Sequence, residues 1–488
     1  MRLLFGVIVM LCPVVAPAQF DADYQTNIIS GVVSNWSGDY IVGSNTVFDL
    51  LRIESSGILS NGLGYIGYET YASNNSAIVT GSGSVWSIGD KLYVGYSSAG
   101  NSLTISNGGA VLAQEIIVGN VSNSEGTVNI VGGSLAANVI VVAQLFGSTG
   151  RFHASNASIL ATASTFIKDG EMYLSNCTAS VGFLGLALGS GTHGTLTAAD
   201  STLTVSGDLS IGDYLGTGTV WLSEGQLVAT NGTTYVSNLG GGQMTCSNSF
   251  INLATLTVCA SSFQTGTLTI SGGSLFARQF DVAHGGYGST GVVWICDGAT
   301  VTATNDTSIV GESGIGSITI SNSAVRLAAL TLGKYILVDT RGTLTVAGGT
   351  VTLTGALTAG EQAIAGTPAA SKGTIWLTGG QLIATNAPVS VGYGGIGEMI
   401  ISNGAVLANM VIVASNVTAQ GTLTLAGGTL TILGGPGRVL SIGTEIGATG
   451  TVWMTGGQLS VTNGFTTIGA FGVGRMMVSN GYWRANGV

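Results

Sequence analysis

From Gly266 the chain reads Thr-Leu-Thr-Ile-Ser-Gly-Gly-Ser-Leu-Phe-Ala-Arg-Gln-Phe-Asp-Val-Ala-His, and its apolar residues alternate with polar ones: Leu268 and Ile270, then Leu275, then Phe280 and Val282. Alternation over four or five residues, interrupted by Gly, Ser and Asn, predicts short β-strands separated by tight corners. The same pattern restarts at Gly100, Gly126, Gly150, Gly170, Gly194, Gly218, Gly242, Gly266, Gly291 and Gly316, and continues through Gly342, Gly373, Gly397, Gly421, Gly450 and Gly474. Most of these intervals are 24 to 26 residues, and the outliers are 20, 29 and 31. A period sustained in this way marks a solenoid. Three strands and three corners use up about 24 residues, so the fold class expected is all-β, a right-handed parallel β-helix with one coil per repeat. About 19 coils at roughly 4.8 Å each would make a rod on the order of 90 Å long.

The organisation follows from where the period is clear. Residues 1–18 carry Arg2, an apolar run from Leu3 to Leu11 and Ala16-Pro17-Ala18, the pattern of a signal peptide cleaved before Gln19, so export is expected. Residues 19–40 are irregular and placed to cap the first coil. Residues 41–99 read as divergent first coils and 100–488 as regular repeats, the last of them incomplete, which favours a fragment.

A second period lies above the first. The residue three positions after each repeat Gly should face solvent, and this column is read as Trp86, Thr104, Asn129, His153, Tyr173, Thr197, Trp221, Thr245, Thr269, Trp294, and onward to Met477. Within it Trp221, Trp294, Trp376 and Trp453 return every third coil, and they form the candidate interaction face.

Composition narrows the function. Charged residues are 7% of 488, net charge is −10, and Gly contributes 79 residues. With no basic stripe, nucleic acid is not expected as a partner. No apolar run after residue 18 is long enough for a membrane-spanning helix. Five cysteines, Cys12 in the leader and Cys177, Cys246, Cys259 and Cys296 at irregular spacing, give neither a disulfide framework nor a zinc motif, and their pairing stays open. His153, His193 and His284 fall at different phases of the repeat, so neither a metal nor a cofactor is expected. The best catalytic pair is Asp281 with Asp306, near Arg278 and His284; the alignment is unsettled by one residue, and solvated corner charges explain them better.

Two stretches carry a resemblance. Val79-Thr-Gly-Ser-Gly-Ser-Val-Trp-Ser-Ile-Gly-Asp-Lys-Leu-Tyr-Val-Gly and Asn101-Ser-Leu-Thr-Ile-Ser-Asn-Gly-Gly-Ala-Val resemble a repeat of bacterial surface proteins associated with autotransporter (type V) secretion or PEP-CTERM sorting. The resemblance implies a secreted or cell-surface β-helical passenger. The chain shows neither a C-terminal β-barrel pattern nor a PEP motif with its hydrophobic tail. The expected function is therefore a non-catalytic stalk, passenger or adhesin-like surface. Its expected partners are surface glycans or other surface proteins, with lateral or end-to-end self-association as a further expectation. The alternative is a polysaccharide-active enzyme or carbohydrate-binding module on the same scaffold.

Overall fold

A computed structural model describes residues 20, 22–335, 340–362 and 371–485. The signal-peptide reading, with Cys12 and Gln19, lies outside the described residues, as do the last three positions of the final repeat. Alternation becomes structure directly. In Thr265–Ser271 the side chains of Leu268 and Ile270 are fully buried while Thr267 and Thr269 face outward. This strand pairs in parallel with Gly242–Ser247 on one side and Thr290–Cys296 on the other, Gly266 standing beside Gly242 and Gly291. All the strand pairings described are parallel, and no helix occurs among the described residues. The fold is an all-β parallel β-solenoid of about 24 residues per turn and about 19 turns.

The chain divides into two compact units, Met1–Ile159 and Leu160–Val488. In the first unit most coils have three separate strands, as in Asn101–Ser106, Ala110–Leu112 and Glu115–Val118, whereas Ser134–Val142 joins the second and third. Pairing begins early: Thr26–Ser30 lies in register with Leu50–Glu54, and Tyr40–Val42 with Gly64–Ile66. In the second unit the second and third strands commonly run together through a bulge, as in Gln226–Val236, Thr300–Val310 and Gln381–Val391. Register shifts between Ala229 and Thr233, Ala303 and Thr307, and Ala384 and Pro388 mark that corner.

The core consists of columns. On the first face Val220, Met244, Leu268, Val293, Ile318 and Leu344 stack coil upon coil, all buried. Leu222, Cys246, Ile270, Ile295 and Ile320 form the column beside it, so Cys246 serves as a small apolar side chain. Each such side chain contributes about 1.5–3 kcal/mol by leaving water.

Two backbone positions recur along the array, and glycine is common at both. The residue closing the third strand is left-handed in coil after coil: Gly212, Ser237, Cys259, Ala283, Gly311 and Gly333 have φ between 54° and 74°. From Gly126 onward the repeat glycine has no positive φ; Gly100 does (73°), because the residue in register with Gly126 is Asn101 and Gly100 belongs to the corner before it. A Cβ on Gly218 would run into the backbone nitrogen of Gly212, and one on Gly194 into the Ile167 carbonyl, so glycine is required there by close approach of the chain to itself.

In the earliest coils of the first unit, before Gly126, this position is filled differently. Asn101 pairs with Gly126, and Asn101, Asn75 and Asp49 form a fully buried polar ladder. The Asp49 N–H donates to Asn75 Oδ1 (2.8 Å), and the Asn75 N–H donates to Asn101 Oδ1 (3.0 Å). Asn75 Nδ2 donates in turn to the carbonyls of Ala72 (2.8 Å) and Thr46 (3.0 Å). Replacing Asn75→Ala strands the buried Asp49 N–H and both carbonyls, a cost of about 3 kcal/mol. Hydrogen exchange at the Asp49 amide is expected to quicken by about 100-fold, and an unchanged rate would show the ladder to be dispensable.

Candidate functional site

The strand register settles which outward residues share a column. Trp221 stands between Thr197 and Thr245, and Trp294 between Thr269 and Thr319. Trp376 stands between Thr345 and Ile400, and Trp453 between Thr424 and Met477. The column therefore repeats Trp every third coil, at about 14 Å. The four rings are 46%, 49%, 41% and 44% exposed, whereas core side chains are near zero. Flanking Thr hydroxyls lie on either side of the Trp221 and Trp294 rings.

Trp86 does not belong to this column. It lies on the second face, paired with Leu59 and Val111, is fully buried, and donates from Nε1 to Asn61 Oδ1 (2.7 Å). The residue aligned with Thr104 is Ile78, which aligns in turn with Arg52. The alternation around Trp86 is sound, but the face was misassigned, because the early coils have a different corner spacing.

The Asp281 and Asp306 pair does not form either. Asp281 aligns with Ile309, and Asp306 falls inside the bulge between Ala303 and Thr307, where it meets Arg278 at 3.4 Å. Asp281 turns instead toward the third corner. Its carboxylate is 2% exposed, accepts from the Ile309 N–H (3.0 Å) and Gln279 Nε2 (2.6 Å), and lies 3.8 Å from His284 Nδ1. His284 Nδ1 also contacts Glu312 Oε2, and Glu312 Oε1 accepts from Lys334 Nζ (2.9 Å). His284, Glu312, Lys334 and Glu361 occupy one position in four successive coils, as their backbone hydrogen bonds to Cys259, Ala283, Gly311 and Gly333 show. Burial pushes the Asp281 carboxyl up to about 6, against the lowering pull of its hydrogen bonds and of His284. Desolvation also raises Glu361, opposed by Lys334 and aided by Glu312.

The histidines stay apart. His153 pairs with Asn129 on the first face of the first unit, His193 begins a strand of the second unit with its N–H on Asp169 Oδ1, and His284 sits at a third corner. Among the described residues no group of three or more His, Cys, Asp or Glu is placed to hold a metal ion. Cys177, Cys246, Cys259 and Cys296 are free thiols, and burial raises Cys246 to about 12. An open depression of about 210 Å³ beside Ile383, Leu407 and Thr431 is smaller than an ordinary small-molecule pocket.

A tyrosine cluster in the first unit escaped the sequence reading. Tyr65 stacks on Tyr93 (5.1 Å between centroids) and Tyr68 on Tyr96 (5.3 Å), while the two pairs meet edge to face. Its signal was present as Tyr65-Ile-Gly-Tyr68 and Tyr93-Val-Gly-Tyr96, one coil apart. Desolvation first, then the charge of Asp39 and the neighbouring rings, push Tyr65 up to about 12. The rings spend their faces on one another, so the cluster reads as packing.

No protein-family model, curated protein or solved structure matches this chain.

Because Asp281 binds its proton more tightly folded than unfolded, the folded protein holds more protons between about pH 4 and 6, and stability falls as pH rises through that window. The loss amounts to at most about 3 kcal/mol and is complete above pH 7. Asp281→Asn, which keeps the acceptor for Ile309, is expected to unfold at higher denaturant than the parent at neutral pH and to show no gain at pH 4. Equal pH profiles for the two proteins would contradict this account.

Proposed function

We propose that this chain is an exported, non-catalytic β-helical surface protein of bacterial type, an adhesin-like passenger or stalk whose working face is the Trp221, Trp294, Trp376 and Trp453 column. The observation that carries the reading is the column itself. Four large rings, each two-fifths to one-half exposed, stand in one register line at equal coil intervals. Leaving this much indole in water has a cost, and stacking on a partner recovers it. The partner class that fits evenly spaced ring faces with hydroxyls beside them is an extended surface glycan. Its sugar faces stack on the indoles while its hydroxyls exchange hydrogen bonds with the Thr side chains. The leader pattern in residues 1–18 and the resemblance of the 79–111 stretch to secreted surface repeats support export.

One observation favours a second reading, a polysaccharide-active enzyme: Asp281, Glu312 and His284 bring two carboxylates and a base together, one carboxyl with a strongly raised pKa. Against it, the Asp281 carboxylate is 2% exposed and fully hydrogen-bonded to its own chain, and Glu312 already serves His284 and Lys334. A substrate would have to displace these contacts.

Titration of the full chain with a panel of bacterial surface polysaccharides, followed by indole fluorescence and affinity electrophoresis, tests the first reading. Each single Trp→Ala change is expected to weaken binding about threefold to tenfold, and the quadruple variant to abolish it while keeping the circular dichroism of the parent. Retarded migration by the quadruple variant would remove the column as the binding face. Release of new reducing ends, lost in Glu312→Gln, would favour the enzyme.

A further inference from the structure

The corner between the third strand of one coil and the first strand of the next has a composition that a solvated turn does not need. In four successive coils of the second unit its outermost residues are Leu215, Leu239, Phe263 and Tyr287, exposed by 64%, 42%, 72% and 49%. They are neighbours: the Leu215 N–H donates to the Leu239 carbonyl, and the Phe263 N–H donates to the Tyr287 carbonyl, whose rings meet edge to face at 5.5 Å. Directly after the left-handed Gly212, Ser237, Cys259 and Ala283 come Asp213, which is buried, Asn238, Ala260 and His284, and the outer turn residues 214–217, 239–241, 261–265 and 285–290 contain no Asp, Glu, Lys or Arg.

The backbone adds a second observation. Leu215 and Phe263 are left-handed, with φ of 66° and 59°. At the equivalent position three residues before the repeat glycine, Gly191, Gly447 and, in the Tyr287 turn itself, Gly288 adopt that conformation without a Cβ clash. Bulky residues there accept both backbone strain and exposure, a combination that gathers at working surfaces.

We infer that this ridge is a lipid-contact edge, which inserts the tips of Leu215, Leu239, Phe263 and Tyr287 into the headgroup–acyl boundary of an uncharged bilayer surface. Three arguments select lipid over a second copy of the chain or another protein. The tips form a line one residue wide and offer roughly 400 Å² of apolar surface, short of the ~800 Å² per partner that a stable protein interface needs. A bilayer requires no complementary shape, and single apolar tips with a tyrosine at one end suit its interface. The net charge of −10 and the absence of charge from the outer turn residues point to apolar insertion, independent of anionic headgroups.

Co-sedimentation of the full chain with phosphatidylcholine vesicles tests this. Binding is expected, undiminished by added salt. The double variant Leu215→Asn, Phe263→Asn removes two tips while placing at both left-handed positions a residue that tolerates them, so its melting temperature should equal or exceed that of the parent. Its vesicle-bound fraction should fall at least tenfold. Absence of wild-type binding, equal binding by the variant, or binding that salt abolishes would overturn the assignment. So would light scattering without vesicles that finds a wild-type dimer converted to monomer by the variant, which would make the ridge a contact between copies.

Discussion

Everything in this molecule depends on parallel strands pairing residue for residue with their counterparts one coil away. Gly194, Gly218, Gly242, Gly266 and Gly291 stand in one line because the first-face strands pair without offset. The pairing satisfies the backbone donors and acceptors of each strand, and it forces every side chain to lie about one strand spacing from its equivalent. A position in the repeat thus becomes a column, and the chemistry of each column is decided by its side chains together. Apolar residues in inward columns make a core that grows with each coil, which lets a chain with only 7% charged residues bury enough apolar surface to fold.

Several polar residues that enter this lattice are partnered within it. Asp49, Asn75 and Asn101 do so by passing hydrogen bonds from coil to coil where later coils use glycine. At the third corner of the second unit, Glu312 is held between His284 and Lys334 at adjacent levels, and Asp281 lies 3.8 Å from His284 Nδ1. One-per-coil spacing converts scattered residues into a connected network. The same geometry engages the carboxylates of Asp281 and Glu312 with groups of their own chain.

Outward columns are under no such obligation, and there the chain displays aromatic surface. Along the first face of the second unit, Trp at every third level alternates with Thr or another smaller side chain. Along the third corner, Leu215, Leu239, Phe263 and Tyr287 project at successive levels. The two arrays differ in what they can meet. Rings lying on a sheet face offer flat stacking surface, whereas tips on a turn offer apolar ends without a shaped bed.

The sequence by itself determined the all-β class, the coil length and the inward columns, because side-chain alternation is a period-two property that each strand carries locally. It also determined the triplet recurrence of Trp221, Trp294, Trp376 and Trp453, since the repeat glycine anchors the count from Gly194 onward. Only the tertiary structure decided where the extra residues of each coil are accommodated. The bulge between Ala303 and Thr307 separates Asp306 from Asp281, and the divergent early coils move Trp86 from the outward column to the core. The partnership of His284 with Glu312, and the exposure of Phe263 on a left-handed turn, were likewise hidden. Residues 22 or more apart in the chain become neighbours only once every corner has absorbed its own insertion, and a local pattern carries no record of which corner does so.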